Sequence, residues 1–191
     1  MFSFFLKKHF NKIFIAGIGL LFLNSCQEQN PRPPISRKSH DSLKTSIVMS
    51  KQIKDYEESL ILNYIKKDST HTYKKSGSGF WYTVLTTGIS TNKKPVFEDV
   101  VNFEYNIKTM DNQILYSKKE LGVQNYVMDK QMLFTGLREG LKLLNEGESA
   151  RFLFPSIKAY GYFGDEKKIT SNMPLISEVS VHTVLKIKNK H

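Results

Sequence analysis

Residues 133–155 read Leu133-Phe134-Thr135-Gly136-Leu137-Arg138-Glu139-Gly140-Leu141-Lys142-Leu143-Leu144-Asn145-Glu146-Gly147-Glu148-Ser149-Ala150-Arg151-Phe152-Leu153-Phe154-Pro155. In the first half Phe134, Leu137, Leu141 and Leu144 recur at three- and four-residue spacing, so one face of a helix is apolar. The spacing predicts a helix over about residues 133–145, ended near Gly147. Residues 151–155 switch to a dense apolar run of strand type. A single short helix followed at once by a strand, in a stretch otherwise built of strands, decides the fold class.

Working outward, the period is two on both sides. Phe80-Trp81-Tyr82-Thr83-Val84-Leu85 is aromatic and β-branched and reads as a strand. Val101, Phe103, Tyr105 and Ile107 alternate within a second strand over residues 100–109, and Met110-Asp111-Asn112 turns into a third over 113–116. Residues 126–128 and 178–187 complete the set. The expected architecture is α+β, an antiparallel five- to six-stranded sheet wrapped around one short helix. A separate N-terminal helix precedes it over about residues 50–67, with Ile53, Tyr56, Leu60, Ile61 and Tyr64 as its apolar face, Ser50 as N-cap and Lys66–Lys67 at the negative end of its dipole. This pattern suits docking on the sheet or pairing with a second copy as a homodimer, and does not choose between them.

The first 25 residues carry Lys7, Lys8 and Lys12, no acidic residue, and an apolar run from Ile13 to Leu23. That run is far shorter than the roughly 20 residues needed to span a bilayer and fits a secretory signal. Leu23-Asn24-Ser25-Cys26 resembles the lipobox of bacterial lipoproteins, with Cys26 the expected lipidation site and new N-terminus; Asn24 is an unusual occupant. Acyl chains contribute about 0.8 kcal/mol per buried methylene, so several would hold the protein at a membrane. Residues 26–49, with Pro31, Pro33 and Pro34, read as a polar tether. The resulting division is 1–25 signal, 26–49 tether, 50–78 helix and connection, and 79–191 folded domain with its core at 95–189. The expected location is the cell envelope, lipid-anchored on the periplasmic face of the outer membrane.

The chain carries a formal charge of +10 and a pI near 9.5. Its lysines lie in scattered pairs such as Lys66–Lys67, Lys93–Lys94 and Lys167–Lys168, without an arginine-rich run, which describes a solvated surface. With an export signal in front, this composition argues against a nucleic-acid partner. Cys26 is the only cysteine, so no internal disulfide can form.

Read in order, Tyr105, Gly136-Leu137-Arg138-Glu139-Gly140-Leu141, Gly147-Glu148, Phe154-Pro155, Ala159-Tyr160-Gly161 with Gly164, and Asn172-Met173-Pro174-Leu175-Ile176 resemble the peptidyl-prolyl isomerases of the FK506-binding type. The leader, the proline-rich tether, Gly79-Phe80-Trp81, Tyr116-Ser117-Lys118 and Ala159-Tyr160-Gly161-Tyr162-Phe163-Gly164-Asp165 extend the likeness to the gliding-motility-associated isomerase lipoproteins of gliding bacteria. The resemblance implies an enzyme acting on proline-containing polypeptides of the envelope. It needs no cofactor or metal. Non-catalytic proline binding and a chaperone role are the competing functions.

Rotation about an Xaa-Pro bond must break amide resonance, a barrier of about 20 kcal/mol. A dry apolar cup disfavours the polar planar amide, and a few donors fix the flanking carbonyls. By resemblance, Tyr160, Tyr105 and the Phe134 backbone are the catalytic groups, and Leu115, Tyr116, Tyr126, Leu133, Leu137, Ile169 and Ser177 contact the substrate. Ordinary core packing competes with that reading for Leu133, Leu137 and Leu141. The chain departs from the family pattern at Leu115-Tyr116 in place of phenylalanine-aspartate, at Leu137 in place of the floor tryptophan, and at Ser177 and Gln124 in place of aromatics. The ordering carboxylate is thereby missing, and Tyr116 either supplies a hydroxyl in its place or fills the pocket.

Overall fold

The computed structural model describes residues 39–88 and 94–187, with side chains from Leu43 onward. The signal segment, Cys26 and the first part of the tether lie outside the described residues. The elements run α1 (Ser39–Lys67), β1 (Lys74–Lys75), β2 (Trp81–Thr86), β3 (Val100–Tyr105), β4 (Ile107–Lys108), β5 (Ile114–Tyr116), α2 (Lys118–Leu121), β6 (Gln124–Val127), α3 (Thr135–Leu141), β7 (Ser149–Phe154), a 3-10 turn (Ser156–Lys158) and β8 (Leu175–Leu185). The strands form one 8-stranded antiparallel sheet in the order β1-β2-β7-β8-β3-β6, with β4 joining β8 to β5.

The sheet has more strands than the periodicity predicts for two local reasons. The two-residue β1 is too short to show a period. The strand expected over 100–109 is divided at Asn106, whose side chain takes part in pairing: its Oδ1 accepts from the Glu178 N–H at 2.8 Å and its Nδ2 donates to the Glu178 carboxylate at 3.1 Å. The predicted helix over 133–145 is regular only across α3, since Leu143 and Leu144 donate to carbonyls three residues back in a tightened end.

Both faces of the sheet are buried. On one face α3 sets Leu137 and Leu141 against Phe80, Phe103, Phe152, Phe154, Leu175 and Val179. The rings of Phe152 and Phe154 lie 5.5 Å apart and nearly parallel. Gly136 permits this closeness, because a Cβ there would lie 2.6 Å from the Phe154 ring and 2.7 Å from the Lys158 carbonyl. On the other face Trp81, Leu153 and Ile176 pack with Ile61 of α1, flanked by Tyr64, Ile65 and Tyr73. The leading helix therefore docks on the domain. It starts at Ser39, so the stretch 39–49, expected as tether, is helical. Ile61 is fully buried, whereas Tyr56, expected on the apolar face, is 65% exposed, and Glu57 takes the inward position beside it.

A polar network closes the same outer face. Arg151 reaches Glu178 at 2.9 Å and Asp68, just beyond α1, at 2.9 Å; Lys108 bonds Glu178 at 2.9 Å, and the Tyr73 hydroxyl donates to Asp68 at 2.8 Å. Burial pushes the Glu178 carboxyl up, but its bonds from Lys108, Asn106 and Arg151 outweigh this and hold it at about 2, against an ordinary 4.5. Asp68 is held below the usual carboxylate range by Thr70, His71 and Tyr73 in the same way. A carboxyl depressed in the folded state stabilises fully above its unfolded value and ceases to do so as pH falls through the folded one. The thermal midpoint should therefore drop as pH is lowered from about 4.5 toward about 2. Calorimetry of Glu178→Gln over this window should show a shallower fall, and an unchanged slope would show that Glu178 is not a principal source of the acid sensitivity.

Candidate active site

Except for Ser177, the expected pocket residues belong to the inner core cluster. Tyr105, Tyr126, Leu137 and Ile169 are buried in it, and Leu115, Tyr116, Leu133, Phe134 and Tyr160 pack against it while remaining partly accessible. The two groups play different parts. Leu137 is 0% exposed and Ile169 is 2% exposed, so they belong to the core beneath the partly accessible side chains.

Alternation in β3 turns Tyr105 inward, where it stacks on Phe103 at 5.6 Å. Tyr126 arrives from the neighbouring strand, edge-on to Phe103, and its hydroxyl donates to the Gln131 carbonyl at 3.3 Å. Phe134 is the N-cap of α3 in an extended conformation, so its N–H lies outside the helical ladder. Its ring meets Phe154 edge-on at 5.4 Å and Tyr160 at 5.3 Å. Burial, reinforced by Tyr105, Asp165 and Tyr116, pushes the Tyr160 hydroxyl up to about 12. It therefore stays protonated, as a hydrogen-bond donor, across the physiological range.

Ser177 lies on the inner face of β8, 1% exposed, and its hydroxyl donates to the Asn106 carbonyl at 2.7 Å. Its hydroxyl is thus satisfied within the fold. Gln124 spends its amide on the Leu121 carbonyl at 2.7 Å.

Tyr116 has a definite partner. Its hydroxyl donates to the Asp165 carboxylate, which raises the Tyr116 hydroxyl to about 12. The other Asp165 oxygen accepts the N–H groups of Lys167, Lys168 and Ile169, at 3.0, 2.9 and 2.7 Å. These bonds hold the Asp165 carboxyl below its usual range against the opposing effect of burial. Gly164 makes the turn possible, at φ +68°, because a Cβ there would lie 2.0 Å from the Ile169 carbonyl. A carboxylate is therefore present beside the cup, supplied by the loop after Tyr160 rather than by the strand position where the family pattern has one. Asp165 is not among the expected site residues, although it closes the run Ala159-Tyr160-Gly161-Tyr162-Phe163-Gly164-Asp165.

Apolar and aromatic side chains with a neutral phenol and a helix-cap N–H, gathered between α3 and an antiparallel sheet, fit an FK506-binding-type domain. Residues 91–182 match the profile of the FKBP-type peptidyl-prolyl cis-trans isomerases, and through this domain the chain belongs to that family. The chain is 30% identical over 132 residues to the probable FKBP-type peptidyl-prolyl cis-trans isomerase FkpA of Neisseria meningitidis, covering 69% of this chain and 46% of that protein. It is 32% identical over 73 residues to the FKBP-type isomerase SlyD of Treponema pallidum, covering 38% of this chain and 42% of that protein. The chain thus spans less than half the length of these curated relatives. Among solved structures, a peptidyl-prolyl cis-trans isomerase of Pseudomonas syringae aligns with a TM-score of 0.59 at 22% identity, over 72% of this chain and 96% of that one. FkpA of Escherichia coli aligns with a TM-score of 0.58 at 21% identity, over 92% and 82%. These two likenesses bear on the fold.

Asp165→Asn keeps an oxygen for the three loop amides and removes the charge. The Tyr116 hydroxyl should then fall from about 12 toward its ordinary 10, read by ultraviolet titration with Tyr116→Phe as the blank. An unchanged phenol titration would mean that the pair does not form in solution.

Proposed function

We propose that the protein is a peptidyl-prolyl cis-trans isomerase of the cell envelope, acting on proline-containing segments of secreted or surface polypeptides, including those of a motility machine. The observation that carries this reading is the gathering of Tyr105, Tyr126, Phe134 and Tyr160 in one apolar cluster, with the Phe134 and Tyr160 rings in contact. Such a site suits the reaction because rotation needs no nucleophile: the proline ring leaves water, the planar amide loses hydration, and the twisted amide is favoured. Tyr160 would donate to a carbonyl flanking the proline, and the Phe134 N–H to a second acceptor of the substrate. Lipid attachment at Cys26, after cleavage of residues 1–25, would hold the domain at the periplasmic face of the outer membrane. Self-association would use the N-terminal turns of α1, where Leu43, Ile47 and Val48 are exposed.

A second reading is a non-catalytic proline-binding or chaperone module of a gliding or secretion complex. It is favoured by the solvent-facing Met132, Ile157, Tyr162 and Phe163, which are neighbours in sequence of the cup residues. Turnover separates the two. The purified protein should accelerate isomerisation of a short Xaa-Pro peptide, and Tyr160→Phe should lower kcat/KM roughly two- to tenfold, the effect of one lost hydrogen bond. A folded protein that binds the peptide without accelerating it would sink the isomerase reading and leave the binding module.

A further inference from the structure

The leading helix reaches the cup through one buried carboxylate. Glu57 of α1 is 3% exposed and lies beside the 3-10 turn that precedes Tyr160. Its Oε2 accepts the Ser156 N–H at 2.7 Å and its Oε1 accepts the Ser156 hydroxyl at 2.5 Å. Ser156 is itself 4% exposed, and its carbonyl accepts the N–H groups of both Ala159 and Gly161, each at 2.8 Å. The two amides that flank Tyr160 are therefore fixed to a single residue, and that residue is fixed by a side chain from 99 positions earlier. On its far side the loop is anchored separately, by the Asn172 N–H donating to the Gly161 carbonyl at 2.9 Å.

A carboxylate on the buried face of a helix is costly to desolvate, and an apolar residue at that helix position would pack against the sheet at lower cost. The bidentate geometry gives it a task that an apolar residue cannot perform, namely to set the turn from which the Tyr160 backbone hangs. We propose that Glu57 is a positioning residue for the active site, acting through Ser156 on the placement of Tyr160. The N-terminal helix is then a working part of the isomerase domain, distinct from any role as a spacer. The catalytic side of this inference rests on the isomerase reading; the structural side does not.

The test uses the protein with α1 intact and two substitutions. Glu57→Ala removes both acceptors, whereas Glu57→Gln keeps an oxygen for the Ser156 N–H and offers its amide to the hydroxyl oxygen. In Glu57→Ala, hydrogen exchange at the Ala159 and Gly161 amides should quicken at least about tenfold relative to the Phe152 amide of β7, a loss confined to the loop. With an Xaa-Pro peptide, kcat should fall about tenfold while KM changes less than about twofold, because the cup is retained and its donor is misplaced. Glu57→Gln should restore both readouts. Loop amides as protected as in the unsubstituted chain, exchange that quickens equally at Phe152, or a Gln variant no better than the Ala variant would each overturn the inference. Should Glu57→Ala fail to fold, Ser156→Ala removes one of the two bonds, and the same comparison of loop amides with Phe152 decides. If the unsubstituted chain does not turn over the peptide, the isomerase reading fails, and the exchange data still judge the tie between helix and loop.

Discussion

Strand β8 carries apolar side chains on both faces, and the need to bury both of them is the constraint the other elements satisfy. Leu175, Val179 and Val181 point to one side and Ile176 to the other. An antiparallel sheet covered on one side only can leave its second face to water, with polar residues there. Here Trp81, Leu153 and Ile176 make that second face apolar, so a second cover is required, and α1 provides it through Ile61. The helix inside the curve and the helix outside it are both consequences of how two neighbouring strands and β8 are patterned.

The polar groups set into this layer fix its geometry. Glu178 lies between Lys108, Asn106 and Arg151, and Arg151 continues to Asp68. Removing any one partner would strand a poorly solvated charge, so the network holds best in a single register of β7 against β8. Asn106 matters in a second way. By pairing through its side chain it ends β3 and starts β4, and that break leads the chain into the hairpin from which Leu115 and Tyr116 reach the cup.

The chemistry available at the cup follows from what surrounds it. Apolar, aromatic surroundings would disfavour a planar amide, and a phenol is protonated near neutral pH, a state that burial reinforces at Tyr160. The carboxylate beside the site is carried by the loop that holds Tyr160, so the orientation of Tyr116 and the folding of that loop are coupled through Asp165.

Local pattern settled much of this protein. The 3.6-residue spacing of Leu137 and Leu141 marked the inner helix, the two-residue alternation of Val101, Phe103 and Tyr105 marked a central strand, and the order of the glycine and tyrosine signals marked the family. These features are legible because period and turn chemistry depend on neighbours in the chain. The pairings across long stretches of sequence depended on the tertiary structure. Nothing near Asn106 announces that its amide replaces a backbone partner, and nothing near Glu57 announces a serine far along the chain. Tyr56 fits the helical period and yet faces water, because a helix rotates to bury the face that best matches its neighbour, and Glu57 has a partner there. Likewise the run that ends in Asp165 does not show that its carboxylate meets Tyr116, which only folding brings against it. Sequence determined most of the longer strands and the two main helices, because period is local, and it missed β1, the break at Asn106, the short α2 and the early start of α1. Which polar side chains are matched in the interior was decided only by tertiary structure, because a buried hydrogen bond requires two partners and the chain spells them out far apart.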